Sequence, residues 1–316
     1  MAKSTPLRTG DLPHTDAYVE LSLLDGGSFI GDLSKVHAGA NGKYRMYNWA
    51  FHISHRGRHI LWDLGLDEDR SNYTPWVNKF MLDEVNHVGP RRSIVQQLAE
   101  KGVQSEQIEQ VLFSHAHWDH CRPIHDVFNN ATAVFGPGTI AGCSPGHLKD
   151  PTVQWDGRFF DPDHATEKME ELNGPWQGFG PFEKAMDYFG DGSFWVIQAP
   201  GHMPGNCLAV ARLQSGHWVC LGSDCCHSRE LLDGKAEIAE FCVPHVGTMS
   251  LHADMTAAKS TISKVRTLEK EYGVKTLLAH DVSWLTYGVD ELLLSLCDER
   301  ISSPEARLRI TRGEIP

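Results

Sequence analysis

Long apolar runs are missing from this chain of 316 residues. No stretch approaches the roughly 18 residues that a membrane helix needs, so a membrane is not expected as a partner. Positive charge is also short. Lys and Arg number 29 against 41 Asp and Glu, a formal net charge of −12. Such a surface repels phosphate backbones and anionic lipid, so nucleic acid is not expected either. The opening Met1-Ala2-Lys3-Ser4-Thr5-Pro6-Leu7-Arg8 lacks the apolar core of a secretory signal. The cysteines at 121, 143, 207, 220, 225, 226, 242 and 297 lie mostly inside apolar runs. They read as reduced, core-packed thiols, and the expected location is cytoplasmic. Repeats and low-complexity tracts are absent as well. With 41% hydrophobic, 22% charged and 9% aromatic residues, the chain is neither disordered, collagenous nor a small disulfide scaffold. Histidine is what the chain has in excess: 18 residues, a first pointer to metal or proton chemistry.

Short apolar runs alternate with helical patterns. Ala50 to Ser54, the turn His55-Arg56-Gly57-Arg58 and His59 to Asp63 read as a β-hairpin. Val111-Leu112-Phe113, Phe194 to Ile197, Trp218 to Leu221 and Val274 to Leu278 read as buried strands. Arg92 to Lys101 has helical spacing, closed by Gly102, and Met255 to Tyr272 reads as an amphipathic helix capped by Asp254 and ended by Gly273. Strands and helices in both halves predict a layered α/β fold. Residues 143–190 differ: five prolines, six glycines and eight aromatics fall within them. Two readings stand, an irregular insertion packed on the core or an aromatic-walled lid over a site. Residues 66–86, with Tyr73, Trp76, Phe80 and Met81, pose the same choice.

Ser114-His115-Ala116-His117-Trp118-Asp119-His120 follows directly on one of these strands. Residues two apart on an extended segment share a side, so His115 and His117 can grip one ion together. Asp119 and His120 follow where the chain must turn and can reach a second. Imidazoles and a carboxylate this close suit a divalent transition metal, zinc above all. The same logic recurs at three strand ends: His202 within Pro200-Gly201-His202-Met203-Pro204-Gly205, Asp224 after Gly222-Ser223, and His280 before Asp281. Singly each is weak; together they supply the donors of a two-metal site.

H-x-H-x-D-H, P-G-H, a strand-end Asp and a strand-end His resemble, in order, the metallo-β-lactamase superfamily. The resemblance implies a four-layer αβ/βα sandwich in a single domain over 1–316, with 143–190 as a candidate active-site lid. It implies two Zn2+ per chain, with Mn, Fe or Co open: His115, His117 and His202 on the first, Asp119, His120 and His280 on the second, and Asp224 bridging. Ala199-Pro200-Gly201-His202-Met203-Pro204-Gly205 and Leu278-Ala279-His280-Asp281 resemble the N-acyl homoserine lactonase branch. That branch has a tyrosine three residues after the bridging aspartate, where this chain has His227, and a shorter insertion. Fungal relatives in the superfamily open the cyclic carbamate of benzoxazolinones, a flat substrate that an aromatic pocket would suit.

The expected activity is therefore opening of a small cyclic ester, amide or carbamate by a metal-bridging hydroxide. Asp119 would orient the nucleophile and shuttle its proton. His227 would either donate to the oxyanion or leaving group or support Asp224. Asp63 is expected to orient a metal ligand rather than bind metal, Trp118 to pack beneath the ligand loop, and Cys225 and Cys226 to pack in the core. His245 and His252 either line the substrate mouth or lie at the surface near a helix start. Trp155, Phe159, Phe160, Trp176, Phe179 and Phe182 are expected to stack on an aromatic substrate if 143–190 folds over the metals. A thioester hydrolase of the glyoxalase II type and a di-iron redox protein remain alternatives on the same ligand set. Nothing in the sequence speaks to the oligomeric state.

Overall fold

Along the strand Phe194–Gln198, Phe194 and Val196 face one way while Trp195 and Ile197 face the other, and all four are buried. A strand apolar on both faces must be covered on both, and this one alternation foretells the layering of the molecule. A computed structural model describes residues 10–243 and 246–316. Two six-stranded sheets stack face to face. The first runs in the order β1 (Glu20–Asp32), β2 (Lys43–His55), β3 (Arg58–Trp62), β4 (Ile108–Leu112), β5 (Thr132–Phe135) and β6 (Met169–Glu171). Its first three strands are antiparallel and the rest parallel. The second contains β7 (Gln177–Phe179), β8 (Phe182–Asp187), β9 (Phe194–Gln198), β10 (Cys207–Arg212) and β11 (Trp218–Ser223). Beyond a small hairpin of β12 (Phe241–Val243) and β13 (Gly247–Met249), β14 (Lys275–Leu278) returns to lie parallel to β11.

The expected hairpin is β2–β3. Its turn places Arg56 and Gly57 at φ 51° and 82°, the left-handed pair that matches the twist of a tight hairpin. Between the sheets lie Trp49, Phe51, Ile53, Ile60 and Trp62 from one side and Val196, Ala209, Val219, Leu221 and Leu277 from the other. On the outer face of the first sheet Ala50, Leu61 and Val111 meet Ile94 and Leu98 of α1 (Ile94–Glu100). On the outer face of the second, Leu208, Val210 and Leu278 meet Ile262, Val265 and Leu268 of α2 (Met255–Tyr272). The result is the expected helix–sheet–sheet–helix sandwich. α2 begins and ends where its caps foretell, with Asp254 accepting from Ala257 N–H and Gly273 closing it at φ 69°, whereas α1 starts two residues later than Arg92 because Ser93 forms a capping box with Gln96.

Residues 143–190 are not set apart from this frame. They supply β6 to the edge of one sheet and β7 and β8 to the edge of the other. Among the described residues no helix is long and apolar enough to cross a membrane.

Candidate metal centre

Strands of both sheets end on one seam. β4 feeds the loop carrying His115, His117, Asp119 and His120, β9 feeds the loop carrying His202, and β11 and β14 end at Asp224 and His280. Backbone bonds tie these ends across the seam: Cys207 N–H donates to Ser114 O at 2.8 Å, and Trp49 N–H to Ala279 O at 3.2 Å. In the first loop, His120 and Cys121 N–H both return to His117 O, which makes the turn that separates Asp119 and His120 from the pair before them. The His202 loop is pinned under α2. Ala253 and Asp254 N–H donate to His202 and Gly201 carbonyls, and Thr261 Oγ1 to Pro200 O. Gly201 sits at φ 133°, and a Cβ there would lie 2.3 Å from Ala258 N, so only glycine permits this approach.

Three imidazoles are oriented by their Nδ1. His120 Nδ1–H donates to Asp63 Oδ2 at 2.9 Å, His280 Nδ1–H to Tyr47 O at 2.9 Å, and His115 Nδ1–H to Ser114 Oγ at 3.0 Å. Each bond fixes the tautomer whose Nε2 carries a free lone pair. Asp63 is the hub of this layer. It also accepts from Ser114 N–H and Oγ–H, and Ser223 Oγ donates to Ser114 Oγ at 2.6 Å from the opposite sheet. Asp63 and Ser223 both hold positive φ, 57° and 47°. Such strain at two strand ends that meet beside one site is the sort that functional sites store.

The free atoms converge. Asp224 Oδ1 stands 3.4 Å from His120 Nε2 and 3.2 Å from His280 Nε2, while Oδ2 stands 3.9 Å from His115 Nε2 and 3.7 Å from His202 Nε2. Asp119 Oδ2 lies 3.5 Å from both His120 and His280 Nε2. Donors about 2.0–2.1 Å from one tetrahedral zinc stand about 3.3 Å apart, so these spacings suit shared ions. The sets His115, His117, His202; His115, His120, Asp224; Asp119, His120, His280; and His202, Asp224, His227 could each hold one. His115 Nε2, His120 Nε2, His202 Nδ1 and Asp224 Oδ1 are buried without a hydrogen-bond partner, a costly state for a fold to carry unless something else engages them. Electrostatics agrees. Burial would raise the Asp224 carboxyl, yet His280, His120 and His227 hold it well below the carboxylate range. Burial would lower His120, yet Asp224, Asp119 and Asp63 raise it well above the usual imidazole value, a demand for positive charge that a cation also meets. Burial pushes His117 down to about 4, leaving a neutral ligand.

Other positions sort as follows. His227 Nε2 lies 3.3 Å from Asp224 Oδ2 and could share an ion with Asp224 and His202. Cys225 and Cys226 are fully enclosed, and burial pushes the Cys226 thiol up to about 12. His245 lies outside the described residues. His252 is buried against His202 and His227 rather than at the surface. Asn48 went unnoticed in the sequence: its Nδ2 donates to Asp119 O at 2.9 Å and Oδ2 at 3.2 Å. A lone Asn within the otherwise apolar run 46–51 of β2 was the available signal.

The expected six-ring wall does not form. Phe159 and Phe160 pack under the first sheet, and Phe179 and Phe182 under the second, because sheet faces there needed covering. Trp155 alone of the six makes a ring contact with the cluster, stacked on His117 at 5.8 Å and 14°. Phe29, edge-on to His280 at 5.7 Å, and Trp118, 5.3 Å from Phe29, line the other flank. Trp118 joins them to Tyr73, Val77 and Leu82, so residues 66–86 back that flank.

Comparison with known proteins yields a family and several relatives. The model of the metallo-beta-lactamase superfamily matches residues 45–179. Metallo-hydrolase mfmC of Annulohypoxylon moriforme is 27% identical over 272 residues, 74% of this chain and 70% of that protein. Cytochrome P450 monooxygenase mpaDE' of Penicillium brevicompactum is 30% identical over 305 residues, 86% of this chain but only 34% of that protein. Gamma-lactamase FDB1 of Fusarium pseudograminearum (strain CS3096) is 25% identical over 233 residues, 69% of this chain and 54% of that protein. The chain thus spans between 34% and 70% of the length of these relatives. A solved N-acyl homoserine lactone hydrolase, with the product N-hexanoyl-L-homoserine at its catalytic metal centre, shares the fold. Its TM-score is 0.64 at 17% identity, over 84% of this chain and 94% of that one.

Proposed function

We propose that this chain, whose residues 45–179 match the metallo-β-lactamase superfamily and whose fold is shared with a solved lactone hydrolase, is a metal-dependent hydrolase of that superfamily that opens a compact cyclic ester, amide or carbamate. The observation that carries the reading is Asp224, a buried carboxylate ringed by imidazoles: His120 lies by Oδ1, His115, His202 and His227 by Oδ2, and His280 reaches both oxygens. In this reading His115, His117 and His202 hold one zinc ion, Asp119, His120 and His280 hold another, and Asp224 serves both. Bound there, such ions would lower the pKa of a water from 15.7 toward about 7 and polarise a carbonyl.

The chain's own residues do the rest. Asn48 fixes the Asp119 carboxylate from behind, so that Asp119 takes the proton of the attacking water and returns it to the departing oxygen or nitrogen. His227 restrains Asp224 through Nε2. Trp155, Phe29 and Trp118 keep the flanks apolar, which strengthens the electrostatics inside and offers faces to a planar ring. The lid reduces to residues near Trp155, with the 66–86 segment opposite. Relatives named as a gamma-lactamase and a lactone hydrolase support ring opening as the reaction.

Elemental analysis combined with kcat/KM on a panel of dihydrocoumarin, benzoxazolinone, N-hexanoyl homoserine lactone, an acyl-glutathione and a β-lactam tests the reading. Close to two metal ions per chain and a preference for the cyclic aromatic compounds is the expected result. Preference for the thioester would overturn it, and so would failure to take up any transition metal.

A further inference from the structure

Positive charge, scarce in this chain, gathers at one place away from the seam. Four of the 16 arginines, Arg91, Arg92, Arg300 and Arg309, line a cavity of about 270 Å3, and no lysine joins them. Its walls are the irregularity of β1 beside Asp25, the loop ahead of α1, and the helices α3 (Glu299–Ser302) and α4 (Pro304–Thr311), with Pro316 closing one side. None of these carries a candidate metal donor. Two of the four arginines are matched. Arg92 pairs with Glu100 at 3.0 Å, and Arg300 pairs with that same Glu100 and, at 3.0 Å, with Asp298. Arg91 and Arg309 are not matched. Among the described residues neither makes an ion pair; Arg91 Nη2 donates to Ile315 O at 3.4 Å, and Arg309 Nε is buried with no hydrogen-bond partner. Asp25, in the same wall, does not answer them: burial raises its carboxyl to about 6 against the weaker pull of Gly27 N–H and Arg91.

Four guanidinium groups thus meet two engaged carboxylates, a local excess of positive charge on a chain whose formal net charge is −12. Like charges held together repel, and a buried N–H bonded to nothing is costly. An anion in the cavity relieves both. The planar fork of guanidinium matches the paired oxygens of carboxylate and phosphate, which a lysine ammonium does not. The volume is that of about nine waters at about 30 Å3 each, room for a small oxyanion and part of its hydration. We propose that this cavity is a binding site for a small oxyanion, a phosphate or carboxylate group, held by Arg91 and Arg309. The site is separate from the metal seam and does not depend on the hydrolase reading.

The test is calorimetric titration of inorganic phosphate and, separately, of acetate into metal-loaded wild type, Arg91→Gln, Arg309→Gln and Arg309→Lys, in chloride buffer of fixed ionic strength. Phosphate also ligates metal ions, so the assignment is read from the arginine variants rather than from binding alone. At least one probe should bind the wild type saturably. Its Kd should rise by about tenfold or more in each Gln variant and recover in part in Arg309→Lys, which keeps the charge without the fork. Metal content should stay at the wild-type level throughout. The probe that binds tells a phosphate site from a carboxylate site. Should Arg309→Gln fail to fold, the exposed Arg91→Gln is read in the same way. A wild type that binds neither probe overturns the proposal, and so does a Kd that both Gln replacements leave unchanged. A variant that loses its metal together with the anion places the anion at the seam and overturns it as well.

Discussion

Replacing Asp63 with Asn tests the orientation of His120 without emptying the space. Asp63 sits at φ 57°, a conformation that Asn adopts readily, so the backbone has no reason to move. Its Oδ1 accepts from Ser114 N–H at 2.7 Å, and its Oδ2 accepts from Ser114 Oγ at 2.8 Å and from His120 Nδ1 at 2.9 Å. Asn keeps one oxygen, which the Ser114 amide claims, and turns an NH2 toward His120. The imidazole must then accept at Nδ1 and carry its proton on Nε2, the atom that faces Asp119 at 3.5 Å and Asp224 at 3.4 Å. A ligand lone pair becomes an N–H. Changes of this kind beyond the ligands themselves lower metal affinity by about 10–100-fold, or about 1.4–2.7 kcal/mol. Zinc affinity measured by chelator competition should drop by that much, while the metal-free variant keeps its circular dichroism and cooperative unfolding. Wild-type zinc affinity in a well-folded Asp63→Asn protein would refute the reasoning.

Asp119→Ala should lower turnover by more than about 100-fold, a loss on the scale of a positioned acid/base group, with the metal content measured alongside. Asp25 is a separate matter of stability. Burial, opposed by the Gly27 N–H, raises its carboxyl from 3.8 to about 6. The native state thus keeps a proton that the unfolded chain has lost; stability is fully present below pH 3.8 and falls as pH rises to about 6. Asp25→Asn should be more stable than wild type by up to about 3 kcal/mol at pH 7–8, and urea titrations should find the gap closed near pH 4. Gly201→Ala should cost about 2–4 kcal/mol in the same titration and lower activity with it, because the new Cβ drives α2 off the His202 loop.

The sequence was legible where one physical rule acts alone. Met255 to Tyr272 came out to the residue because Asp254 and Gly273 mark its ends chemically. The convergence of His115, His202, Asp224 and His280 on one seam was legible because His and Asp after an apolar run have few other reasons to be there. The aromatics of 143–190 misled because richness in Phe reports a need for burial without saying beneath which sheet: Phe159 and Phe179 lie in different cores. Asn48 and the burial of His252 escaped because both depend on contacts between segments distant in the chain, Asn48 with Asp119 and His252 with His202 and His227.

Because the candidate donors come from both sheets, the seam also orders events in time. His115 to His120 leave one sheet, and His202, Asp224 and His280 leave the other, so neither ion of the proposed pair has its full donor set while the halves are apart. The Ser223–Ser114 bond, which spans the same gap, likewise exists only after docking. Interactions made after the folding barrier alter the unfolding rate and leave the folding rate alone. Zinc in stopped-flow experiments should therefore leave the refolding limb of the chevron in place and lower its unfolding limb. The ion would act as a latch on the finished molecule rather than a template for its assembly.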